Sequence, residues 1–329
     1  MRTISIITAC YNEEENVEEL YDRVRAVMCT LKNYSYEHIF IDNHSSDNTV
    51  EVLKKIAASD TNVRVIVNAR NFGHIRSPHH AFMQTTGDAV IGIVADLQDP
   101  PEMILDFVRE WENGCSMVLA VKNTSDESSL MFGIRTSYYR LVRRISQVET
   151  FENFTGFGLY DRKVVDIVKS FKDPYPYFRG MIAEIGLPYK LLPYHQPVRK
   201  RGFTKNNLYT LYDMAMLGIT NLSKVPLRFV TFIGFISAGV SLLTAFAYLV
   251  YKLLFWSSFS VGIAPLVIGI FFFSSVQMLS MGILGEYVAA ILTQVQGRPY
   301  AIELERVNFE HQPGPPKEQA YFDDGLNSR

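Results

Sequence analysis

This 329-residue sequence has few cysteines and a small net charge, and each of these features excludes a class of protein. The three cysteines, Cys10, Cys29 and Cys115, lie far apart without metal-ligand spacing, which is typical of reduced residues that face the cytosol. A formal net charge of −2 argues against a general nucleic-acid binder, so we expect no nucleic acid among the partners. The sequence also has no visible internal repeat, and nothing in it resembles a P-loop, a GxGxxG fingerprint or a GxSxG elbow.

Charged residues are missing altogether from two long stretches, 229–251 and 253–285. A helix needs about 20 apolar residues to span a bilayer, so these stretches predict two transmembrane helices, near 229–254 and 261–290. A polar break that begins at Trp256 separates them. The alternative is a buried helical pair in a soluble protein, which the length of chain without charge disfavours.

Basic residues flank the outer ends of both predicted spans: Lys224, Arg228, Arg298 and Arg306. The connecting loop carries no charge, so the positive-inside rule places both ends and the first 220 residues in the cytoplasm. The N-terminal residues show no signal-peptide pattern. We therefore expect an integral membrane protein whose N-terminal domain lies in the cytoplasm. Four small residues in the spans would permit helix packing in a homo-oligomer: Gly234, Ala238, Gly282 and Gly285.

Upstream of the spans, short apolar runs alternate with segments of helical periodicity. Strands are expected at 3–8, 38–41, 63–67, from 89 onward, and at 117–121, 156–161 and 187–194. This alternation predicts an α/β domain with a mostly parallel sheet. Right-handed crossovers would bring four residues at strand ends to one edge of that sheet: Tyr11, Asp42, Arg70 and Asp96.

The stretch 89–102, AVIGIVADLQDPPE, is the strongest candidate site. Its apolar run suits a strand that is buried on both faces, and it ends in Asp96, Gln98 and Asp99. Open α/β sheets bind ligands at the carboxyl ends of such strands. The alternative is that Asp96 and Asp99 only form a turn, with Asp99 capping the helix that follows Pro100-Pro101.

Four further features remain open at this level. Basic amphipathic segments at 130–148 and 207–223 could lie on a membrane surface or pack on the domain itself. The loop RKRGFTK at 199–205 is strongly basic. Three nearby histidines, His74, His79 and His80, lack the spacing of paired metal ligands, which favours structural roles. After Glu303 the chain is polar and rich in proline and glycine, which predicts a mobile tail.

Four loop motifs, in this order, resemble those of GT-A glycosyltransferases of family 2: TACYNEEENV, IDNHSSDNT, RNFG and ADLQDPPE. Lys122, the segment around Arg135, the RKRGFTK loop and the two predicted spans narrow the resemblance to polyprenyl-phosphate glycosyltransferases. Within that group the chain is similar to bacterial bactoprenol glucosyltransferases, with dolichyl-phosphate mannose synthases as more distant relatives. The resemblance covers about residues 1–300 and implies a Rossmann-like GT-A domain followed by a two-helix transmembrane hairpin.

The resemblance also implies roles for particular residues. The nucleotide of the donor would be held by Ala9, Tyr11, Glu13, Asp42 and Arg70. Mg²⁺ or Mn²⁺ would bind Asp96 and Gln98, since hard cations prefer oxygen ligands. The departing diphosphate would be neutralised by Arg199, Arg201 and Lys205, and the acceptor phosphate would be bound by Lys122 and Arg135.

The resemblance implies transfer of a hexose, with glucose as the first candidate, from UDP-glucose to undecaprenyl phosphate. The transfer would invert the anomeric carbon and would serve glycosylation of the cell envelope at a bacterial inner or plasma membrane. The alternatives are a mannosyltransferase that uses GDP-mannose and a dolichyl or polyprenyl phosphate, or a weakly active scaffold that retains the fold. A processive polysaccharide synthase is disfavoured because a QxxRW-like motif and further spans are absent from the sequence. The expected domains are 1–206 (catalytic), 207–228 (juxtamembrane helix), 229–290 (spans) and 291–329 (cytoplasmic tail).

Three departures from the family pattern concern the site. The turn that is usually of the DDGS type reads Asp42-Asn43-His44-Ser45 here. Val94 occupies the position where the metal motif usually has its first aspartate, so Asp96 is left as its main carboxylate. Around Gly156, relatives often carry an acidic residue and an arginine that this sequence lacks.

Overall fold

The computed structural model describes residues 1–124, 146, 150–197, 215–220, 223–255 and 263–309. Within these ranges, eight strands form one sheet. In chain order they are β1 (Arg2–Cys10), β2 (Tyr34–Asp42), β3 (Val63–Asn68), β4 (Ala89–Gly92), β5 (Met117–Thr124), β6 (Phe154–Asp161), β7 (Tyr189–His195) and β8 (Glu303–Val307).

Helices connect most of these strands and follow the catalytic part of the chain. They are α1 (Val17–Thr30), α2 (Thr49–Ser59), α3 (Gly73–Gln84), α4 (Ile104–Glu112), α5 (Arg162–Ser170), α6 (Phe178–Ile185), α7 (Val225–Leu254) and α8 (Ile263–Gln296). A 3₁₀ turn at Pro101–Met103 leads into α4, and residues 215–220 are also helical.

The strand order across the sheet is β7-β5-β6-β4-β1-β2-β3-β8. Strands β4, β1, β2 and β3 are mutually parallel, and β5 is parallel to β7. Strand β6 runs antiparallel to both of its neighbours, β4 and β5, so β5 and β7 point the same way as β1. The expected mostly parallel sheet is therefore confirmed, and six carboxyl ends meet at one edge.

Alternation of side chains along β1 divides the core between the two faces of the sheet. Ile4 and Ile6 pack with α1, α2 and α4, whereas Ile7 packs on the opposite face with α3, α5 and α6. Both clusters are closed by fully buried aromatic rings, Phe107 on the first face and Phe82 on the second. Helices cover both faces of the sheet, and open sheets of this kind bind ligands at the carboxyl ends of their strands.

The fourth strand is shorter than the apolar run predicted. It ends at Gly92, and only one further backbone bond, from the Ile93 amide to the Ile7 carbonyl at 3.0 Å, extends the pairing. Val94 has left the sheet and is 45% exposed. The chain thus turns away from the sheet before it reaches Asp96, which places that carboxylate in a loop above the strand end.

The prediction of a mobile tail after Glu303 is wrong for residues Glu303–Val307. These residues form β8, which pairs antiparallel with β3 at the edge of the sheet. Glu303 accepts hydrogen bonds from His80 and Arg306, and the Asn308 side chain donates to the Val63 carbonyl at 2.9 Å. Polar composition concealed the strand because an edge strand needs few apolar side chains.

The two long helices α7 and α8 overlap the two charge-free stretches of the sequence. Within α8, the 28 residues Gly269–Gln296 are long and apolar enough to cross a membrane, and none of their most apolar window is buried. The apolar segment of α7, Val225–Ser241, is shorter than the apolar segment of α8. Large side chains on α7 face outward, with Phe235 75% exposed. The two-span hairpin and the domain limits at 206, 228 and 290 stay predictions.

Candidate active site

The carboxyl edge of the sheet collects the loops that the sequence singled out. Asp42 ends β2, and Asp96 follows β4 in the loop that begins after Gly92. Lys122 lies near the end of β5, which runs in the same direction. The prediction that separate strand ends share one edge is therefore confirmed by the strand order.

The first two loops are bonded directly to each other. Asn12 has a positive φ of 56°, and its amide donates to the Ser45 hydroxyl at 2.9 Å. Its side-chain oxygen accepts from the Ser46 amide at 2.8 Å. The Glu13 amide donates to Thr49 Oγ1 at 2.9 Å. Asn tolerates this left-handed backbone conformation, and the result is a rigid pair of loops at the site.

Asp42 is fully buried beneath this pair of loops. Its carboxylate accepts from the Ser45 amide at 2.9 Å and also from the Ser45 hydroxyl. Burial raises the pKa of Asp42 above its ordinary value, and the Ser45 hydrogen bonds oppose that rise. The turn therefore holds one carboxylate in a fixed orientation, as recognition of a base N–H would require.

The second and third loops are joined by Asn43, a residue that sequence reasoning did not assign to the site. Its Oδ1 accepts from the Phe72 amide at 2.9 Å and from the Asn68 side chain at 3.2 Å. Its Nδ2 donates to Asn71 Oδ1 at 2.9 Å. Arg70 lies in the same loop, 4.1 Å above the Phe72 ring. The richness of this turn in Asn and Ser was the available signal, because such side chains bond to nearby backbone.

The fourth loop turns sharply between its two candidate metal ligands. Leu97 has a positive φ of 61°, and the Gln98 amide donates to Asp96 Oδ1 at 3.1 Å. The Gln98 side chain donates through Nε2 to the Pro197 carbonyl at 3.3 Å, so its amide oxygen is the atom that could bind a cation. Backbone strain at a non-glycine residue is common at functional sites.

Asp99 does not cap the following helix, so that expectation is wrong. Its carboxylate is buried, with 3% exposure, and it accepts from the Tyr194 hydroxyl at 2.9 Å. Burial raises the pKa of Asp99 to about 6, opposed by the Tyr194 hydrogen bond and by the positive charge of Lys122. Lys122 and Asp96 therefore each lie close enough to Asp99 to act on its charge.

A cavity of about 270 Å³ opens beside this cluster. Its floor is formed by the ends of β1 and β4, including Ala9 and Gly92. Its walls are mostly apolar and aromatic, and its few polar lining groups are His74, His79, Asp99, Thr155, Tyr160, Tyr177 and Arg179. Concave, apolar sites with a few polar groups are typical of small-ligand binding.

The candidate cation site depends on few protein ligands. No cluster of three or more His, Cys, Asp or Glu side chains is arranged to hold a metal within the described residues. Asp96 and Gln98 offer one carboxylate and one amide oxygen on a strained turn. This donor set fits a cation such as Mg²⁺, which keeps several waters and takes further ligands from substrate phosphates.

Four predicted site residues lie outside the part of the chain that the structure describes: Arg135, Arg199, Arg201 and Lys205. The basic helix expected over 130–148 also falls outside it, except for Ser146. Of the juxtamembrane segment 207–228, residues 215–220 are helical, as are those from Val225 onward. The assigned roles of all site residues stay predictions.

Comparison with known proteins agrees with this geometry. The family model described as glycosyl transferase family 2 matches residues 5–168. The uncharacterized glycosyltransferase YkcC of Bacillus subtilis is 32% identical over 309 residues, which cover 93% of this chain and 95% of the relative. The SfII prophage-derived bactoprenol glucosyl transferase of Shigella flexneri is 33% identical over 297 residues, covering 90% and 96%.

The solved structures that match this chain include the mannosyltransferase PcManGT of Pyrobaculum calidifontis in complex with GDP-Man and Mn²⁺. It shares 16% identity, covers 89% of this chain and 86% of its own, and aligns with a TM-score of 0.44. The expected GT-A fold class and the expected resemblance are both confirmed. The chain belongs to glycosyl transferase family 2 and is a glycosyltransferase.

Proposed function

We propose that this glycosyltransferase transfers a hexose from a nucleotide sugar to undecaprenyl phosphate at the cytoplasmic face of a membrane. Glucose from UDP-glucose is the first candidate for the transferred sugar. The observation that carries the proposal is the shared carboxyl edge of the sheet, to which Asp42, Asp96 and Lys122 belong. Val94 and Asp99, on either side of Asp96 in the fourth loop, line the cavity at this edge. A relative 33% identical over 90% of the chain is named a bactoprenol glucosyl transferase, which supports the choice of acceptor.

The first two loops would hold the nucleotide. Asp42 has a fixed, buried carboxylate that can accept from a base N–H, and such charge-assisted hydrogen bonds are stronger than neutral ones. Tyr11, Glu13 and Ala9 border the same edge, and Arg70 stands on the third loop with its guanidinium over Phe72. Because Asp42 is fully buried and both of its carboxylate oxygens accept from Ser45, the Ser45 turn would have to open for this contact to form.

The diphosphate would lie at the fourth loop. Asp96 and Gln98 would hold Mg²⁺ or Mn²⁺, whose chemistry is to neutralise the charge that develops on the departing diphosphate. The basic loop with Arg199, Arg201 and Lys205 would add further positive charge there.

Acceptor binding rests on Lys122 and Arg135. A lipid phosphate is already ionised near neutral pH, so attack on the anomeric carbon needs no general base. The protein instead has to offset repulsion between two anionic substrates, and a lysine at the end of β5 serves that purpose. A single in-line displacement then inverts the anomeric configuration.

The membrane location follows from the acceptor and from the helices. A polyprenyl tail stays in the bilayer, so the active site must stay near the surface. Exposed apolar side chains on α7 and the apolar length of α8 favour insertion over a soluble helical pair. A homo-oligomer formed through small residues in these helices is compatible with this placement.

Incubation of the full chain in detergent or nanodiscs with radiolabelled UDP-glucose, Mg²⁺ and undecaprenyl phosphate tests the proposal. We expect a labelled lipid that is extractable into organic solvent. GDP-mannose and other nucleotide sugars form the comparison panel, and labelled lipid from none of them would refute transfer to this acceptor.

Asp96→Asn sharpens the assay. We expect it to reduce turnover by at least about 100-fold, a loss typical when one group that stabilises developing charge is removed. The matched control is Asp88→Asn, at the opposite end of β4, where the side chain only accepts from the Thr3 amide at 2.7 Å. Full activity of the Asp96 variant would remove this residue from the proposed cation site.

A further inference from the structure

His79 is a buried histidine whose hydrogen-bonding capacity is unused. Its side chain is 4% exposed, and within the described residues neither ring nitrogen has a hydrogen-bond partner. Buried polar side chains are nearly always hydrogen-bonded, so an imidazole with two unpaired nitrogens requires an explanation. The neighbouring His80, by contrast, bonds to Glu303.

The surroundings of His79 fix the ring without satisfying it. The Tyr300 ring meets it edge-on with centroids 4.6 Å apart, and Phe82 stacks at 6.3 Å. Both contacts are with aromatic rings, which position an imidazole but accept no conventional hydrogen bond from it. Tyr300 belongs to the segment that leads from α8 into β8, so this segment closes one side of the histidine.

The side of His79 that remains faces the cavity at the carboxyl edge. His79 lines the same 270 Å³ space as Ala9, Gly92 and Asp99. That space lies beside the loop with Asp96, where the donor diphosphate would be held. A hexosyl group attached to that diphosphate is the part of the donor that can reach such a cavity.

The protonation state of His79 selects the kind of group that it can bind. Burial, together with the nearby His80, lowers the pKa of His79 to about 3. The ring is therefore neutral near pH 7, with one nitrogen as donor and the other as acceptor. A neutral ring suits a sugar hydroxyl, which both donates and accepts, and offers no charge to a phosphate.

Resting on the proposed function, we infer that the cavity receives the hexosyl group of the donor and that His79 selects it through a hydrogen bond to one of its hydroxyls. His79 is thus a specificity-determining residue. A site that is built to bond a hydroxyl rejects an analogue without it, because the polar group of the protein is then left unpaired. The surrounding aromatic walls, including Phe157 and Phe178, provide apolar contact for the sugar ring.

The test compares kcat/KM for UDP-glucose and its 2-, 3-, 4- and 6-deoxy analogues in the full-length wild type and in His79→Phe. In the wild type, we expect at least one analogue to lose about tenfold or more relative to UDP-glucose. In His79→Phe that particular penalty should shrink to less than about twofold. Phenylalanine conserves the aromatic packing around this position. If His79→Phe does not fold, His79→Leu is used in its place.

Two further variants separate a hydrogen bond from a packing role. His79→Gln keeps a donor and an acceptor and should retain most of the discrimination. His80→Gln keeps a hydrogen bond to Glu303 and should leave the pattern of penalties unchanged. Identical penalties in wild type and His79→Phe would overturn the inference and leave only water or packing at this position.

Failure of the inference is distinguishable from failure of the proposed function. Wild-type turnover with an unaltered pattern in His79→Phe refutes the role of His79 alone. No wild-type transfer from any nucleotide sugar refutes the proposed function, and the role of His79 in sugar selection falls with it. If another sugar is the donor, the same deoxy series is made on that sugar, with the same two outcomes.

Discussion

Glu303→Gln should weaken the attachment of β8 to the catalytic sheet by a measurable amount. Burial of Glu303 would raise its pKa, but hydrogen bonds from His80 and Arg306 prevail and lower it to about 2, from 4.5. Each tenfold change in proton affinity corresponds to about 1.4 kcal/mol, so the depression corresponds to about 3 kcal/mol. Arg306 is 38% exposed, and screening by solvent reduces the expected loss to about 1–2 kcal/mol.

The effect has a defined dependence on pH. The folded pKa lies below the unfolded one, so the stabilisation is fully present above about pH 4.5 and is lost as pH falls towards 2. At pH 7 we expect the melting temperature of Glu303→Gln to be about 2–8 °C lower than that of the wild type. The difference between the two proteins should narrow below about pH 4.5.

Glu305→Gln is the matched control for this measurement. Glu305 lies on the same strand and pairs with Lys54 at 2.6 Å, but the two side chains are 45% and 40% exposed. An exposed pair contributes little, so its loss should shift the melting temperature by less than about 2 °C. Circular dichroism or scanning fluorimetry in detergent gives both values. Equal shifts in the two variants, or a Glu303→Gln deficit that does not change with pH, would refute the reasoning.

Two other substitutions test the packing behind the site. Gly158→Ala should lower the stability of the fold by about 1–3 kcal/mol, because the added Cβ would meet the Val118 carbonyl and lie 3.2 Å from Leu119 Cα. Gly234→Ala is the control: its Cβ would lie in open space on α7, so the variant should not be destabilised. Thermal melts compare the two variants with the wild type. Tyr194→Phe should lower the stability of the fold by about 1–3 kcal/mol, because the buried Asp99 carboxyl loses the hydroxyl that donates to it at 2.9 Å. The pKa of Asp99 should rise further for the same reason. An unchanged melting temperature would show that this hydrogen bond is dispensable.

Much of the catalytic domain could be predicted because its signals are local. The apolar runs at 3–8, 38–41 and 63–67, each followed by polar loop residues, predict the first three strands. The handedness of crossovers then places Asp42 and Asp96 at one edge. Loop motifs with the order seen here are specific enough to indicate the family. Hydropathy alone located α7 and α8, although each helix runs several residues beyond at least one predicted end.

The failures arise where an environment, not a local pattern, decides the outcome. Glu303–Val307 has the composition of a tail, and its strand exists because β3 offers an unpaired edge and His80 a partner. Asp99 follows the rules for a helix cap, but Tyr194, which is 95 residues distant in sequence, takes up its carboxylate instead. For His79, the structural interpretation stays a prediction, and its unpaired ring nitrogens are a feature that only the packed structure reveals.

The return of the chain from α8 to β8 also determines how the catalytic domain can move. A domain that hangs from a membrane by one linker can swivel in every direction, whereas a domain held at two separate points can only rock about the line that joins them. Here the Tyr287 hydroxyl on α8 bonds to the Ser223 carbonyl just before α7, at 2.6 Å, and Gln294 bonds to Asp173 at 2.9 Å. In the proposed membrane placement, these contacts would hold the active-site edge at a nearly constant height and orientation above the lipid, where it would meet the nucleotide sugar.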